Sequence, residues 1–77
     1  MKERVLEMLK EIRPEFEFAG VENFFEEGML DSFDLVTLVT MLEQGFDVKI
    51  DGAAILPENF ANVDAIVSLV QKSGAAQ

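Results

Sequence analysis

Ser32 is the residue whose type and position best suit a chemical role. It follows Asp31 and precedes apolar residues at helical spacing, Leu35, Leu38 and Val39. Asp and Ser both favour a helix start, where a side-chain oxygen accepts a hydrogen bond from an unpaired backbone N–H. A hydroxyl at that position lies beside the positive end of the helix dipole and beside amide donors that attract an anion. Ser32 is therefore a candidate for covalent attachment of a phosphate-linked group, and alternatively an ordinary helix N-cap.

The surroundings of Ser32 resemble the phosphopantetheine-attachment motif of acyl and peptidyl carrier proteins, in which Asp-Ser precedes an apolar helix. The approach to the serine matches over residues 28–33, and the last third of the chain matches at Ile50, over residues 56–63 and at Ile66. The second pattern is typical of small free-standing carriers, including the D-alanine carrier type. The resemblance therefore extends over nearly the whole chain, and it implies a covalent 4'-phosphopantetheine on Ser32.

The function that this resemblance implies is that of a carrier and not of an enzyme. The arm ends in a thiol, so an acyl or aminoacyl group would be held on it as a thioester. The implied partners are a phosphopantetheinyl transferase, an acyl- or aminoacyl-loading synthetase and downstream acyltransferases, as in fatty acid or lipid biosynthesis. Asp31 would help to orient the incoming cofactor and its metal ion in the transferase. It is equally suited to cap the helix as an acid at the positive end of the dipole.

The predicted second helix also offers residues for contact with partner proteins. Phe33, Val36 and Met41 fall outside its buried stripe, which predicts an exposed apolar patch beside the arm. Family carriers use this helix face for partner recognition, and Phe33 departs from the leucine or methionine often found there. Asp34 and Glu43 either contact basic residues of partners or belong to an ordinary solvated face. The predicted partner-binding residues are Met29, Phe33, Asp34, Val36, Met41 and Glu43.

Composition argues against several other classes of function. The 77 residues are expected to form one domain, 1–77, and contain no histidine, cysteine or tryptophan, so most of the side chains usual in enzyme active sites are missing. Asp47 and Asp51 lack the spacing of a calcium loop. We therefore expect neither a catalytic residue nor a metal site.

The chain is strongly acidic, with a formal net charge of −9. Such a surface repels nucleic acids and anionic membranes and suits salt-sensitive encounters with basic patches on proteins. The acidity alternatively serves only to keep a small protein in solution. The charge also leaves open a second function, a cofactor-free acidic adaptor whose second helix docks basic partner proteins.

The N-terminal residues do not resemble an export signal. The apolar run after the charged first residues is interrupted by Glu7, Lys10 and Glu11. No stretch is long enough to span a bilayer, so we expect no membrane insertion. The hydrophobic content of 49% is enough for a folded core. These features predict a folded monomer in the cytoplasm.

Helical periodicity predicts an all-α fold, a small acyl-carrier-protein-like bundle of three main helices plus one short helix. We expect Pro14 to end the first helix, Gly45 to cap the second in the left-handed conformation, and Asn62 to cap the start of the third. Pro57 interrupts residues 53–60, so one irregular helical turn is expected there. The predicted main helices span residues 2–13, 32–44 and 63–72.

The long segment over residues 14–31 shows no sustained period and is predicted to be a loop. It carries four phenylalanines, and we expect at least two of them to complete the core; the alternative is that they line an exposed acyl channel. At the other end of the chain, residues 73–77 are predicted to form a frayed tail. The four aromatic residues are Phe16, Phe18, Phe24 and Phe25.

Overall fold

The computed structural model describes residues 1–74, in which three α-helices and two short 3₁₀ turns occur and no strand is present. The predicted all-α bundle of three main helices is confirmed. Part of the predicted tail, residues 75–77, lies outside the described residues, while Ser73 and Gly74 form a turn. The helices are α1 (Lys2–Ile12), α2 (Ser32–Phe46) and α3 (Val63–Lys72), and the 3₁₀ turns are Gly52–Ala54 and Pro57–Phe60.

Helix α1 packs one apolar face into the core. Val5, Met8 and Leu9 are buried, at the i, i+3 and i+4 positions that share a helix face. The helix ends one residue earlier than predicted, because the proline at position 14 disfavours helical geometry at Arg13, whose φ is −135°. The Arg13 backbone N–H still donates to the Leu9 carbonyl at 2.9 Å. This bond fixes the point at which the chain leaves α1.

Helix α2 ends differently from the prediction. Gly45 was expected to be the left-handed cap, but it is helical, and Asp47 adopts the left-handed conformation with φ 55° and ψ 50°. The physical reason is packing, since a Cβ at position 45 would overlap Met8 Cε of α1. The missing side chain thus permits close approach of two helices. Aspartate is among the residues that tolerate the left-handed region, so Asp47 can end the helix.

The long loop is held by its own aromatic residues, as predicted. Phe18 and Phe24 are buried with ring centroids 5.0 Å apart in an edge-to-face arrangement. The Phe24 backbone N–H donates to the Ala61 carbonyl at 2.6 Å, and Asn62 Nδ2 donates to the Glu22 carbonyl at 3.0 Å. The loop is therefore bonded to the segment that enters α3. These two rings form part of the core and do not line an exposed channel.

The segment between α2 and α3 contains two 3₁₀ turns where one irregular turn was predicted. Asp51 caps the first, and its carboxylate accepts from the Ala53 N–H at 3.0 Å. Pro57 begins the second and keeps Leu56 extended, which separates the turns. Asn62 caps α3 as predicted, and its Oδ1 accepts from the Ala65 N–H at 2.8 Å.

Candidate functional site

Ser32 is the first residue of α2, and its side chain is exposed. The N-cap is Asp31, whose Oδ1 accepts from the Asp34 N–H at 2.9 Å, while Asp34 Oδ2 accepts from the Asp31 N–H at 3.2 Å. These reciprocal bonds form a capping box. The alternative interpretation of Ser32 as an ordinary N-cap is wrong, because its neighbours perform the capping. The Ser32 hydroxyl is thus available for other chemistry.

Buried residues on both sides of the serine determine where the hydroxyl emerges. Met29 and Leu30 lie in the core just before it, and Leu35 lies in the core one turn after it. The Met29 N–H donates to the Phe24 carbonyl at 2.8 Å, across a turn in which Gly28 has φ 73°. A positive φ is readily accessible to glycine. The short exposed segment that carries Ser32 is therefore anchored at both ends.

Arg13 connects the end of α1 to the start of α2. Its Nε donates to Asp34 Oδ2 at 2.9 Å and its Nη2 donates to Asp31 Oδ2 at 3.3 Å. A third acid, Glu15, lies 3.6 Å from Nη1. The sequence pattern assigns Arg13 only to the end of α1, because no helical or turn periodicity relates it to acids 18 and 21 positions away. The sequence feature that could have pointed to this contact is the pair of acids at the start of α2, Asp31 and Asp34, because two nearby carboxylates favour a cation between them.

The hydrogen bonds and ion pairs among Arg13, Asp31 and Asp34 favour the charged forms of Asp31 and Arg13. The pKa of Asp31 is lowered, first by the hydrogen bond from the Asp34 backbone N–H and then by the positive charge of Arg13. The pKa of Arg13 is raised, first by its hydrogen bond with the Asp34 side chain. Asp31 and Arg13 are therefore both ionised at neutral pH. Ser32 lies in a region where one cation partly offsets two carboxylates.

Acidification is expected to weaken the capping box. Because folding lowers the pKa of Asp31, its carboxylate contributes stability above the ordinary value of 3.8 and loses it as the pH falls through the lowered folded pKa. In a carbon-13 NMR titration, the Asp31 carboxyl signal should have a midpoint below 3.8, and the Asp34 amide proton should shift at the same midpoint. A midpoint at or above 3.8 would contradict the assignment of Asp31 as a hydrogen-bonded cap.

Two of the predicted partner-binding residues are strongly exposed. The exposed fractions are 84% for Phe33 and 64% for Val36, and both side chains lie on the outer face of α2. Met41 is half-buried and packs against the core. Single exposed apolar residues are common, but two large ones on the same helix beside Ser32 form a contiguous apolar surface.

The other three predicted partner-binding residues have intramolecular roles. Met29 is 7% exposed, so it packs in the core and we leave it out of the docking surface proposed below. Asp34 belongs to the capping box and binds Arg13. Glu43 is half-buried, and its Oε2 accepts from the Ile50 N–H at 2.9 Å. The helical period of α2 did not reveal these roles, because Arg13 is 21 residues from Asp34, Ile50 lies beyond the end of α2, and Met29 precedes its start.

Two further observations bear on the kind of site. Over residues 1–74, no group of three or more Asp and Glu side chains is placed to hold a metal ion. In the same part of the chain, every helix is too short or too polar to cross a membrane.

The comparisons with known proteins bear on the family of the chain as a whole. A family model described as a phosphopantetheine attachment site matches residues 3–70. This range includes all of α2 and most of α1 and α3. No curated protein and no solved structure matched the chain. The family match favours a cofactor-bearing carrier over a cofactor-free adaptor.

Proposed function

Because this chain belongs to the phosphopantetheine-attachment-site family, we propose that Ser32 is the residue that carries the covalent 4'-phosphopantetheine. The protein is a phosphopantetheine-carrying carrier and not an enzyme. The observation that supports Ser32 is its exposed side chain at the first position of α2, where Asp31 and Asp34 perform the capping. Ser68 is also exposed, but it lies in the middle of α3, where no helix N-terminus is available to an anion.

The residues around Ser32 fit the chemistry of the attachment. The serine Oγ would form a bond to the phosphorus of the pantetheine phosphate of coenzyme A, while the bond from that phosphorus to the adenosine bisphosphate breaks and the hydroxyl proton passes to a base of the transferase. The resulting anionic phosphodiester would lie near the first backbone amides of α2, which favour negative charge. Arg13 partly offsets the charge of the two nearby carboxylates. When bound, the arm supplies the thiol that this cysteine-free sequence lacks.

The proposed cargo is an acyl or aminoacyl group held as a thioester. Residues 56–60 resemble the corresponding segment of specialised or aminoacyl carriers, and this resemblance favours such a carrier over the housekeeping fatty-acid type. The proposed partners are a phosphopantetheinyl transferase, a loading synthetase and downstream acyltransferases. We also propose that the carrier is a monomer and that it is located in the cytoplasm. The carrier acts by raising the effective concentration of the cargo at each partner's active site.

The absence of cysteine gives a sharp test of the carrier function. After incubation with coenzyme A and a phosphopantetheinyl transferase, the purified protein should contain one titratable thiol per chain, against none before. Loading with an aminoacyl group should remove that thiol, and neutral hydroxylamine should restore it by cleaving a thioester. A thiol count that stays at zero with several transferases would contradict the proposal. A loaded group that resists hydroxylamine would contradict the thioester linkage.

We further propose that partners dock on an uncharged face of α2, next to Ser32. The two acids of the helix are engaged, Asp34 by Arg13 and Glu43 by the Ile50 N–H. The threonine hydroxyls of the face also bond within the helix, to carbonyls four residues earlier. What this face offers a partner is therefore mainly apolar, despite the net charge of −9. The proposed docking face comprises Phe33, Val36, Thr37, Thr40 and Gln44.

Phe33→Ala is expected to raise the KM of a loading enzyme for the carrier by about tenfold or more, because burial of a phenylalanine contributes roughly 1.5–3 kcal/mol. The melting temperature should be unchanged, since the ring is exposed. Gln71→Ala, which changes an exposed residue of α3 outside the docking face, is the control and should have little effect. Steady-state kinetics at several salt concentrations should show the same ratio of the KM of the Phe33 variant to that of wild type at each concentration. A normal KM for the Phe33 variant, combined with a steep salt dependence for wild type, would favour docking through charge.

A further inference from the structure

Arg13 differs from the other cations that form ion pairs in the described part of the chain. Its guanidinium contacts three carboxylates, whereas Lys2 and Lys10 each contact one, Asp64 and Glu17 respectively. The Lys2 and Lys10 pairs are more than half-exposed on both sides and contribute little to stability. The Asp34 side chain, by contrast, is only 13% exposed and Arg13 is 35% exposed. Arg13 therefore forms the most shielded ion pair among these residues.

The backbone of Arg13 is held at both sides. Its N–H donates to the Leu9 carbonyl at 2.9 Å, and its carbonyl accepts from the Phe16 N–H at 3.2 Å. The planar guanidinium presents its donors in a fixed arrangement, so Nε and Nη2 can bind Asp34 and Asp31 at the same time. A lysine has one compact charged group and cannot reproduce that arrangement. Arg13 is thus held in place just after the end of α1, next to the first turn of α2.

The two carboxylates that Arg13 binds lie on either side of Ser32 in the sequence, one residue before it and two residues after it. Both belong to the capping box that sets the start of α2. Without Arg13, Asp31 Oδ2 would lose its cation, and two uncompensated negative charges would lie where an anionic phosphate must approach. Loss of Arg13 should thus loosen the first turn and oppose the approach of the phosphate.

We propose that Arg13 is a positioning residue for Ser32, which holds Asp31 and Asp34 on either side of the serine and so presents its hydroxyl to the modifying enzyme. This inference rests on the proposed attachment at Ser32. It predicts that the ion pair affects the modification itself and not only the stability of the fold.

The test compares R13Q with K10Q, which also removes one positive charge but breaks a pair that includes neither Asp31 nor Asp34. With a phosphopantetheinyl transferase and coenzyme A, R13Q should lower kcat for the carrier by about tenfold, the effect of losing a charged hydrogen bond. KM should change much less. R13K should recover only part of the loss, and K10Q should behave as wild type. In hydrogen exchange, the Asp34 amide should exchange faster in R13Q and not in K10Q.

Equal modification rates for R13Q and K10Q, with a lower melting temperature for R13Q alone, would overturn the proposal and leave a purely stabilising ion pair. Full recovery in R13K would also overturn it, since a single point charge would then suffice. A wild-type protein that is never modified would instead contradict the attachment at Ser32. The exchange rate of the Asp34 amide, which needs no cofactor, would then decide whether Arg13 holds the first turn.

Discussion

Ser32→Ala is expected to abolish attachment of the phosphopantetheine arm, because the alanine has no oxygen to form the phosphodiester. After incubation with coenzyme A and a transferase, the variant should show no gain in intact mass and no thiol, whereas wild type gains one arm. Ser68→Ala is the matched control, since it removes another exposed serine hydroxyl, from α3. That control should be modified as fully as wild type. All carrier function should be lost in the Ser32 variant alone.

The loss should come without unfolding. Since Asp31 and Asp34 cap α2, the Ser32 side chain contributes no cap bond, and alanine is a good helix former. The change in the free energy of unfolding should lie within about 0.5 kcal/mol, as for other surface substitutions. Denaturant titration would measure it. A large destabilisation would mean that the hydroxyl has a structural role, and continued modification of the variant would mean that another residue carries the arm.

Phe24→Ala is expected to destabilise the protein severely. The ring is fully buried against Phe18, and its removal should cost about 3–5 kcal/mol. A domain of this length has a total stability of roughly 4–12 kcal/mol, at about 0.05–0.15 kcal/mol per residue. The variant should therefore lose a large share of its stability and unfold at a clearly lower temperature and urea concentration than wild type. Thermal and urea unfolding followed by circular dichroism would show the shift.

Phe33→Ala is the matched control for this effect, because it removes the same side chain from an exposed position. Its unfolding curve should overlap that of wild type. The buried variant should also be modified more slowly at Ser32, because loss of the ring should loosen the loop whose backbone carbonyl at position 24 accepts from the Met29 N–H just before the serine. Similar stability of the two variants would contradict the role of the loop aromatics as core.

The features that could be predicted from the sequence depend on local patterns. The stripe of Val5, Met8 and Leu9 predicted α1, and Asn62 before an apolar run predicted the start of α3. The concentration of phenylalanines in a loop predicted that the loop would be packed, and Phe18 and Phe24 are buried. In each case the residue types and their spacing along a few turns determine the result.

The features that were missed depend on contacts between distant parts of the chain. Gly45 has the residue type of a helix cap, but its lack of a side chain serves the approach of Met8. Met29 precedes the serine and was predicted to face partners, yet it fills the core. Arg13 reaches acids 18 and 21 residues away. Such pairings follow from the way the helices pack, which no local period encodes.

The most direct measurement is the position of the arm in the modified chain. Wild-type protein would be incubated with coenzyme A and a phosphopantetheinyl transferase, digested and fragmented in a mass spectrometer. We expect the entire added mass to lie on Ser32, in the peptide that contains the Asp31–Phe33 segment. An added mass on Ser68, on Ser73 or on any threonine would contradict it, as would the absence of any added mass.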